Sequence, residues 1–403
     1  MNLLPNKKYF DGEVSRSFVY LYTAKTIGMI ATGLLGLFLP IFLYNLFGQN
    51  IQQVFLYYAA GYFFYGLLVA FGAQFLNKFG FRKALRLSVF LNASFYTIFY
   101  FINESNLIYL IPLSIAIIVF YRIFYWIPYH VDFAKFTNRK NRGKQLSSIM
   151  ATRLAISVLI PLFSGFVIEQ LGFDAIFMMA IALYLLSGIP FLKIPRTQEK
   201  FSWTYRETWR HFFSKNKRKT IFAYIAYGAE SVVGFLVWPI FIFQLLNGDY
   251  FRVGAISTFI IAATVIAQLS LGKYIDNGRE KKVLWWGSVL YSIGWIVKIF
   301  IISAFQIFVA GAYHSFTRIF LRTPFNAMTY EIAADNGHYI DEFTVIKEMA
   351  VSMGKTFMTI AIVAISLFLA VQWTFLLAAI AVLLFNLLNP KDAAMFPKLG
   401  DLV

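Results

Sequence analysis

Apolar residues run along this chain in stretches of about 20, long enough to cross a bilayer core, with short polar loops between them. "FVYLYTAKTIGMIATGLLGLFLPIFLYNLF" near the start sets the pattern. Twelve such helices are predicted, at 18–45, 52–75, 84–102, 107–129, 147–169, 173–194, 220–246, 253–274, 283–303, 307–331, 345–368 and 371–389. The predicted class is an all-α polytopic membrane protein. One stretch breaks the apolar rhythm: "GAYHSFTRIFLRTPFNAMTY" carries His314, Arg318, Arg322 and Asn326 four residues apart. On a helix that spacing is one slowly drifting face.

The loops alternate in charge. Those after the second, fourth, sixth and eighth helices are basic, with Lys78, Arg82 and Lys83, then Arg142 and Lys144, then Arg206, Arg210 and Lys219, then Arg279, Lys281 and Lys282. The loops on the other side hold Arg252 alone. Lys and Arg are retained on the cytoplasmic side of short loops, so both termini are expected inside, in a cell (inner) membrane. The acidic loop after the tenth helix, "EIAADNGHYIDEF", leaves this unchanged because acids contribute little to that rule. Composition agrees: 59% of the 403 residues are hydrophobic and 14% charged, against about 45–50% and 25% in soluble domains. The net charge of +17 is then topology, and no nucleic-acid partner is expected. The first residues, "MNLLPNKKYFDGEVSRS", lack a short apolar core with a cleavage site, so no cleaved signal is expected.

The chain also repeats. "LPIFLYN" around Pro40 returns as "WPIFIFQ" around Pro239, an offset of 199. "AQFLNKFGFRKAL" returns as "GKYIDNGREKKVL" at the same offset, and "RIFYWIPY" from Arg122 returns as "RIFLRTPF" from Arg318 at 196. An even number of helices separates the copies, so the halves share one orientation and are related by an axis along the membrane normal. The expected organisation is a six-helix bundle over 1–195, a basic cytoplasmic connector over 196–219, and a second bundle with a short tail over 220–403.

With its repeat, the sequence resembles the major facilitator superfamily. That family's loop signature, G-x-x-x-D-R-x-G-R-R-x-x-L, is met by Lys78, Gly80, Arg82 and Leu85, while Ala73 and Asn77 replace its first glycine and its acid. In the second half Gly272, Asp276 and Leu284 match, and Lys281 keeps a basic charge. Arg122, Asp132 and Arg142-Gly143-Lys144 fall at the family's fourth-helix arginine, loop acid and basic end. The resemblance implies a cytoplasmic gate built from these loop residues. The antiporter glycine-proline signature is poorly met: Pro161 and Gly165 fit, but Ile160 and Ser164 stand where glycines are expected.

The resemblance further implies that helices one, four, seven and ten line a central cavity. The intramembrane charges fall on those helices: Lys25, Arg122, Glu230, Arg318 and Arg322. Ionisable groups are costly in lipid and usually face a bundle interior or a water-filled path. Arg318, Arg122, Arg322 and Lys25 are therefore candidate substrate ligands, with Trp126 and Tyr227 as rings to stack on it. Glu230 and His314 are candidate proton carriers. Each has a plainer reading. Lys25 can snorkel, Arg122 can be structural, Arg318 can merely neutralise Glu230, Arg322 can pair with Glu331, and His314 and the rings can be packing. Among weaker candidates, Lys298 and Arg153 read as interfacial or structural, and Lys355 as cavity-facing or paired with Glu348.

Four histidines without metal spacing, and no cysteine, give no metal constellation; no phosphate-cradling loop for ATP is present. The connector is too short for a catalytic domain. The expectation is a secondary transporter and not an enzyme, without cofactor, monomeric in the lipid bilayer. It would work by alternating access on a small organic solute, with protons as a symported partner. Cations outnumber acids at mid-depth, which favours an anion. A neutral or amphipathic solute, and a non-transporting receptor of the same fold, stay open.

Overall fold

The computed structural model describes residues 14–137, 142–197, 201–271, 280–335 and 340–388. Among these residues the helices make twelve crossings. The first is α1 (Arg16–Gly36), capped by Ser15 accepting from the Phe18 N–H at 3.1 Å, running on into α2 (Leu39–Leu46). Then come α3 (Ile51–Phe79), α4 (Phe81–Phe101) and α5 (Leu107–Phe136). The element α6 (Arg142–Leu192) holds two crossings. Its apolar part, Ser148–Leu192, has 45 residues, and at about 1.5 Å each that is more than twice a bilayer core. It breaks at Gly172, where φ is 77°.

A short α7 (Tyr205–Phe212) lies in the connector. The seventh crossing is α8 (Arg218–Val232), continued through a π turn at Val233–Val237 into α9 (Trp238–Leu245). The remaining crossings are α10 (Tyr250–Leu271), α11 (Glu280–Lys298), α12 (Ala304–Asp335), α13 (Ile340–Ser366) and α14 (Thr374–Leu383) with its flanking 3₁₀ turns. The twelve predicted helices are all present. The fourth runs on from 129 to Phe136, since burial of Val131 and Asp132 continues past the apolar run.

Packing follows the two bundles. Phe38, Phe55, Phe99 and Phe177 fill the first; Trp295, Phe325, Phe375 and Phe385 fill the second. Phe63, Phe71, Leu159, Ile266 and Leu367 stand exposed on the outside, a surface suited to lipid rather than water.

The repeat is visible at atomic level. After α2 the chain turns through Gly48 and Gln49 at φ 60° and 63°; after α9 it turns through Asn247 and Gly248 at φ 56° and 81°. The hydrogen bonds coincide. Gln49 N–H donates to Tyr44 O and Gly248 N–H to Phe243 O, at 2.8 and 2.9 Å. Asn50 caps Gln53 N–H as Asp249 caps Arg252 N–H. Left-handed backbone is tolerated by Gly and Asn; the first copy places Gly48 there beside Gln49, and the second places both Asn247 and Gly248.

The bundles meet at this end. Gln244 donates to the Tyr44 hydroxyl and Asn45 to the Tyr250 hydroxyl, each at 2.7 Å. Below, α6 and α10 touch backbone to backbone. A Cβ at Gly165 would sit 2.5 Å from Tyr250 O, and one at Gly254 would strike Pro161 O.

At the opposite end the connector crosses from one bundle to the other. Asn77 of α3 grips the Phe201 backbone with both ends of its amide: Nδ2 donates to Phe201 O at 2.8 Å, and Oδ1 accepts Phe201 N–H at 2.9 Å. Gln74 donates to Trp203 O at 2.8 Å. On the other side Glu342 of α13 accepts the Ser202 N–H at 2.9 Å. Thr204 and Glu207 form a capping box that starts α7.

Asn77 stands where the resembled family signature has an acid, and this geometry needs an amide, because a carboxylate has no donor for Phe201 O. Asn77→Asp is expected to loosen the connector by about 1–3 kcal/mol. Trypsin should then cut at exposed Arg206 and Arg210 several-fold faster; unchanged cleavage would count against the clamp. His211 stacks on Trp203 at 4.0 Å. Burial, then Lys217 and Arg210, hold its imidazole below the ordinary value of 6.5. Its share of stability is therefore complete above pH 6.5 and is lost as pH falls below that, so the same cleavage should accelerate on mild acidification.

Candidate functional site

Glu230 lies in α8, 2% exposed. Its carboxylate is paired with Arg322 of α12 and accepts the Tyr291 hydroxyl of α11 at 2.7 Å. The Arg322 guanidinium also lies over the Tyr227 ring, 4.1 Å from its centroid. The plainer reading for an arginine on this stripe is therefore realised one turn further on than Arg318. Arg322 is engaged by Glu230 and is not a free ligand; the side chain of Glu331 lies outside the described residues.

His314 is placed differently from its expected cavity position. It is 6% exposed inside the second bundle, stacked on Tyr291 at 3.9 Å and edge-on to Trp295 at 4.4 Å. Lys298 lies 3.0 Å from its Nδ1. Lys298 does not snorkel: it is 3% exposed and sits over the Trp238 and Trp295 rings at 3.7 and 4.3 Å. The reason is that α11 turns the lysine inward, where two indole faces and an imidazole nitrogen replace water. Lys298, His314, Tyr291, Glu230 and Arg322 form one buried polar cluster.

The other cations are less engaged. Arg318 is exposed and close enough to Arg153 and Tyr227 to act on them electrostatically, and among the described residues no carboxylate pairs with it. Lys25 donates to the Tyr125 hydroxyl at 3.0 Å and is ringed by Tyr125, Trp126 and Tyr129 at 5.0, 4.7 and 4.6 Å. It is thus caged, not snorkelling. Arg122 lies over Tyr62 and Tyr65 of α3 at 4.9 and 5.8 Å, with a buried Nη1 that has no partner. Lys355 of α13 lies 4.9 Å from the same Tyr62 ring. The Tyr65 hydroxyl donates to Glu348 at 3.2 Å.

Glu230 is therefore not the only acid near this space; Glu348 joins it. Sequence reasoning passed over Tyr62 and Tyr65, although Tyr58, Tyr62 and Tyr65 stand at helical spacing on one face.

A family model described as the Major Facilitator Superfamily matches residues 21–229, just over half of the chain. The chain belongs to the major facilitator superfamily. Membership makes it a membrane transporter rather than an enzyme. A solved structure of the human organic anion transporter MFSD10 (TETRAN) matches in fold with a TM-score of 0.69 at 12% identity, covering 94% of this chain and all of that one. No curated protein matches the sequence significantly.

The loop residues of the superfamily's signature are distributed as follows. Gly80 ends α3 at φ 88°, its N–H on Leu76 O at 2.8 Å. Lys78 is exposed and Arg82 half-buried beside it. Asp132 is fully buried and accepts the Thr197 hydroxyl, at the exit of the sixth crossing. Asn77 holds the connector. Arg142 begins α6 and Lys281 is exposed in the first turn of α11. Gly272 and Asp276 lie outside the described residues. In this superfamily member Pro161 and Gly165 serve the contact with α10.

Proposed function

We propose that this protein is a secondary transporter of a small organic anion, working by alternating access between its two bundles (1–195 and 220–403), with the connector and both termini cytoplasmic. The observation that carries the anion reading is Arg318. It stands exposed on α12 near mid-depth, no described carboxylate pairs with it, and Glu230 is already neutralised by Arg322. An unpaired cation there is costly, and an anionic substrate would supply the missing charge. Arginine suits a carboxylate or phosphate because its planar fork bonds two oxygens. The MFSD10 likeness supports the fold.

Arg318→Ala is expected to weaken anion binding by roughly 1.5–3 kcal/mol, as for one lost charged hydrogen bond. Arg318→Lys, which keeps charge and loses the fork, should weaken it less. Thermal-shift titration of purified protein with anionic and neutral metabolites reads both. Tight binding of a neutral solute, indifferent to Arg318, would replace this reading with the neutral one.

Proton symport through Glu230 and His314 draws support from their burial in one polar cluster, with Lys298 3.0 Å from His314 Nδ1 and Tyr291 donating to Glu230; His314 and Tyr291 meet by ring stacking and not by a hydrogen bond. Uptake in vesicles that ignores an imposed pH gradient would remove it. Orientation is tested separately. The chain has no cysteine, so a single one at exposed Gln49 should label from outside, and one at exposed Arg210 only after permeabilisation. The reverse pattern would invert the assignment, an inner-membrane topology included.

A further inference from the structure

The free cations are not one cluster but two, and each draws on both bundles. At the first, Arg122 of α5 and Lys355 of α13 address one aromatic ring, Tyr62, both at 4.9 Å from its centroid. Two positive charges on one ring oppose each other across the bundle interface. Glu348 offsets only one of them, and its Oε2 already accepts from Tyr65. Arg122 Nη1 is buried without an acceptor, a donor whose desolvation is uncompensated.

At the second, Lys25 of α1 and Arg153 of α6 come within electrostatic reach of each other, as do Arg153 and Arg318 of α12. Lys25 has only the neutral Tyr125 hydroxyl and three ring faces as partners. No described acid pairs with any of these three. Half-buried Tyr227 belongs to both groups, feeling Arg318 as well as Lys355.

We infer that the substrate is a dianion with two separated acidic groups, one taken by Arg122 and Lys355 at Tyr62, the other by Lys25, Arg153 and Arg318. This rests on the anion reading above. It also gives the substrate a mechanical role. In its absence like charges face each other across the bundle interface at two places. A dianion cancels both repulsions at once and bridges the bundles twice; a monoanion relieves one.

The test is a series of α,ω-dicarboxylates from succinate to suberate, each compared with its own monoamide, by thermal shift and equilibrium binding on the full chain. The expected result is an optimum length at which the diacid binds about tenfold or more tightly than its monoamide. In Lys355→Met and in Lys25→Met, one substitution at each group, that ratio should fall towards one. Using two sites guards against one variant failing to fold. Equal binding of diacid and monoamide at every length would overturn the dianion inference while leaving the anion reading standing. A ratio undiminished in both variants would overturn the assignment of the two groups. Absence of binding by any carboxylate, with a neutral solute bound instead, would remove the anion reading itself.

Discussion

Replacing Arg322 with methionine is expected to cost the fold about 3–5 kcal/mol, the usual penalty for stranding a buried charge. Glu230 is 2% exposed, and with Arg322 gone its polar contact is the Tyr291 hydroxyl at 2.7 Å. One neutral donor does not replace a guanidinium in a low-dielectric interior. The double change Arg322→Met with Glu230→Gln removes the charge along with its partner and should recover most of the loss. Melting temperatures of the three variants in detergent decide the matter. A double variant as unstable as the single one would mean that Arg322 acts through its stacking on Tyr227 and Phe385, at 4.1 and 5.4 Å, and not through charge. Because the pair lies wholly within the second bundle, the loss should appear with or without substrate.

A second large effect is expected at Gly254. A valine there would drive its side chain into Pro161 O, a backbone atom that no rotamer change can move aside. The reciprocal contact, Gly165 against Tyr250 O, would be slightly longer at 2.5 Å. Overpacking of this kind costs about 1–3 kcal/mol where the structure must absorb it. On the alternating-access reading proposed above, the two bundles can separate instead. Gly254→Val should therefore fold and insert, yet hold the α6–α10 contact open and reduce transport by an order of magnitude or more, as would follow from ~1.4 kcal/mol or more per closure. A cysteine reporter near Asn45 should become more accessible in this variant. Normal uptake would show that this contact is not part of the cycle.

Much of the fold was legible because the bilayer leaves so few options. Apolar length gave the crossings, and the 199-residue offset in "LPIFLYN" and "WPIFIFQ" anticipated turns that match bond for bond. The site was legible to the level of the helix, not of the residue. Arg318 and Arg322 are one turn apart on the same face, so spacing alone could not say which would meet Glu230; that choice depends on the relative height of α8 and α12. Lys298 and His314 read as an interfacial lysine and a cavity histidine because depth along a helix can be counted while its rotation cannot. Their burial is set by Trp238 and Trp295, which arrive from α9 and α11. Glu348 was set aside as a partner for Lys355, and the tyrosines that flank both had no signal beyond their periodicity. Asn77 looked like a lost charge; its role appeared only once the connector backbone lay against it.

The two ends of the molecule are fastened by different chemistry, and that has a consequence for the medium around it. At the turn end the bundles are joined by neutral amide–hydroxyl bonds, Tyr44 with Gln244 and Asn45 with Tyr250. At the connector end neutral amides of Asn77 and Gln74 hold one side of the segment, and the buried carboxylate of Glu342 accepts from Ser202 on the other. This last link alone among those named contains a carboxylate, so acid would remove its charged acceptor and loosen the connector end while leaving the turn-end bonds intact.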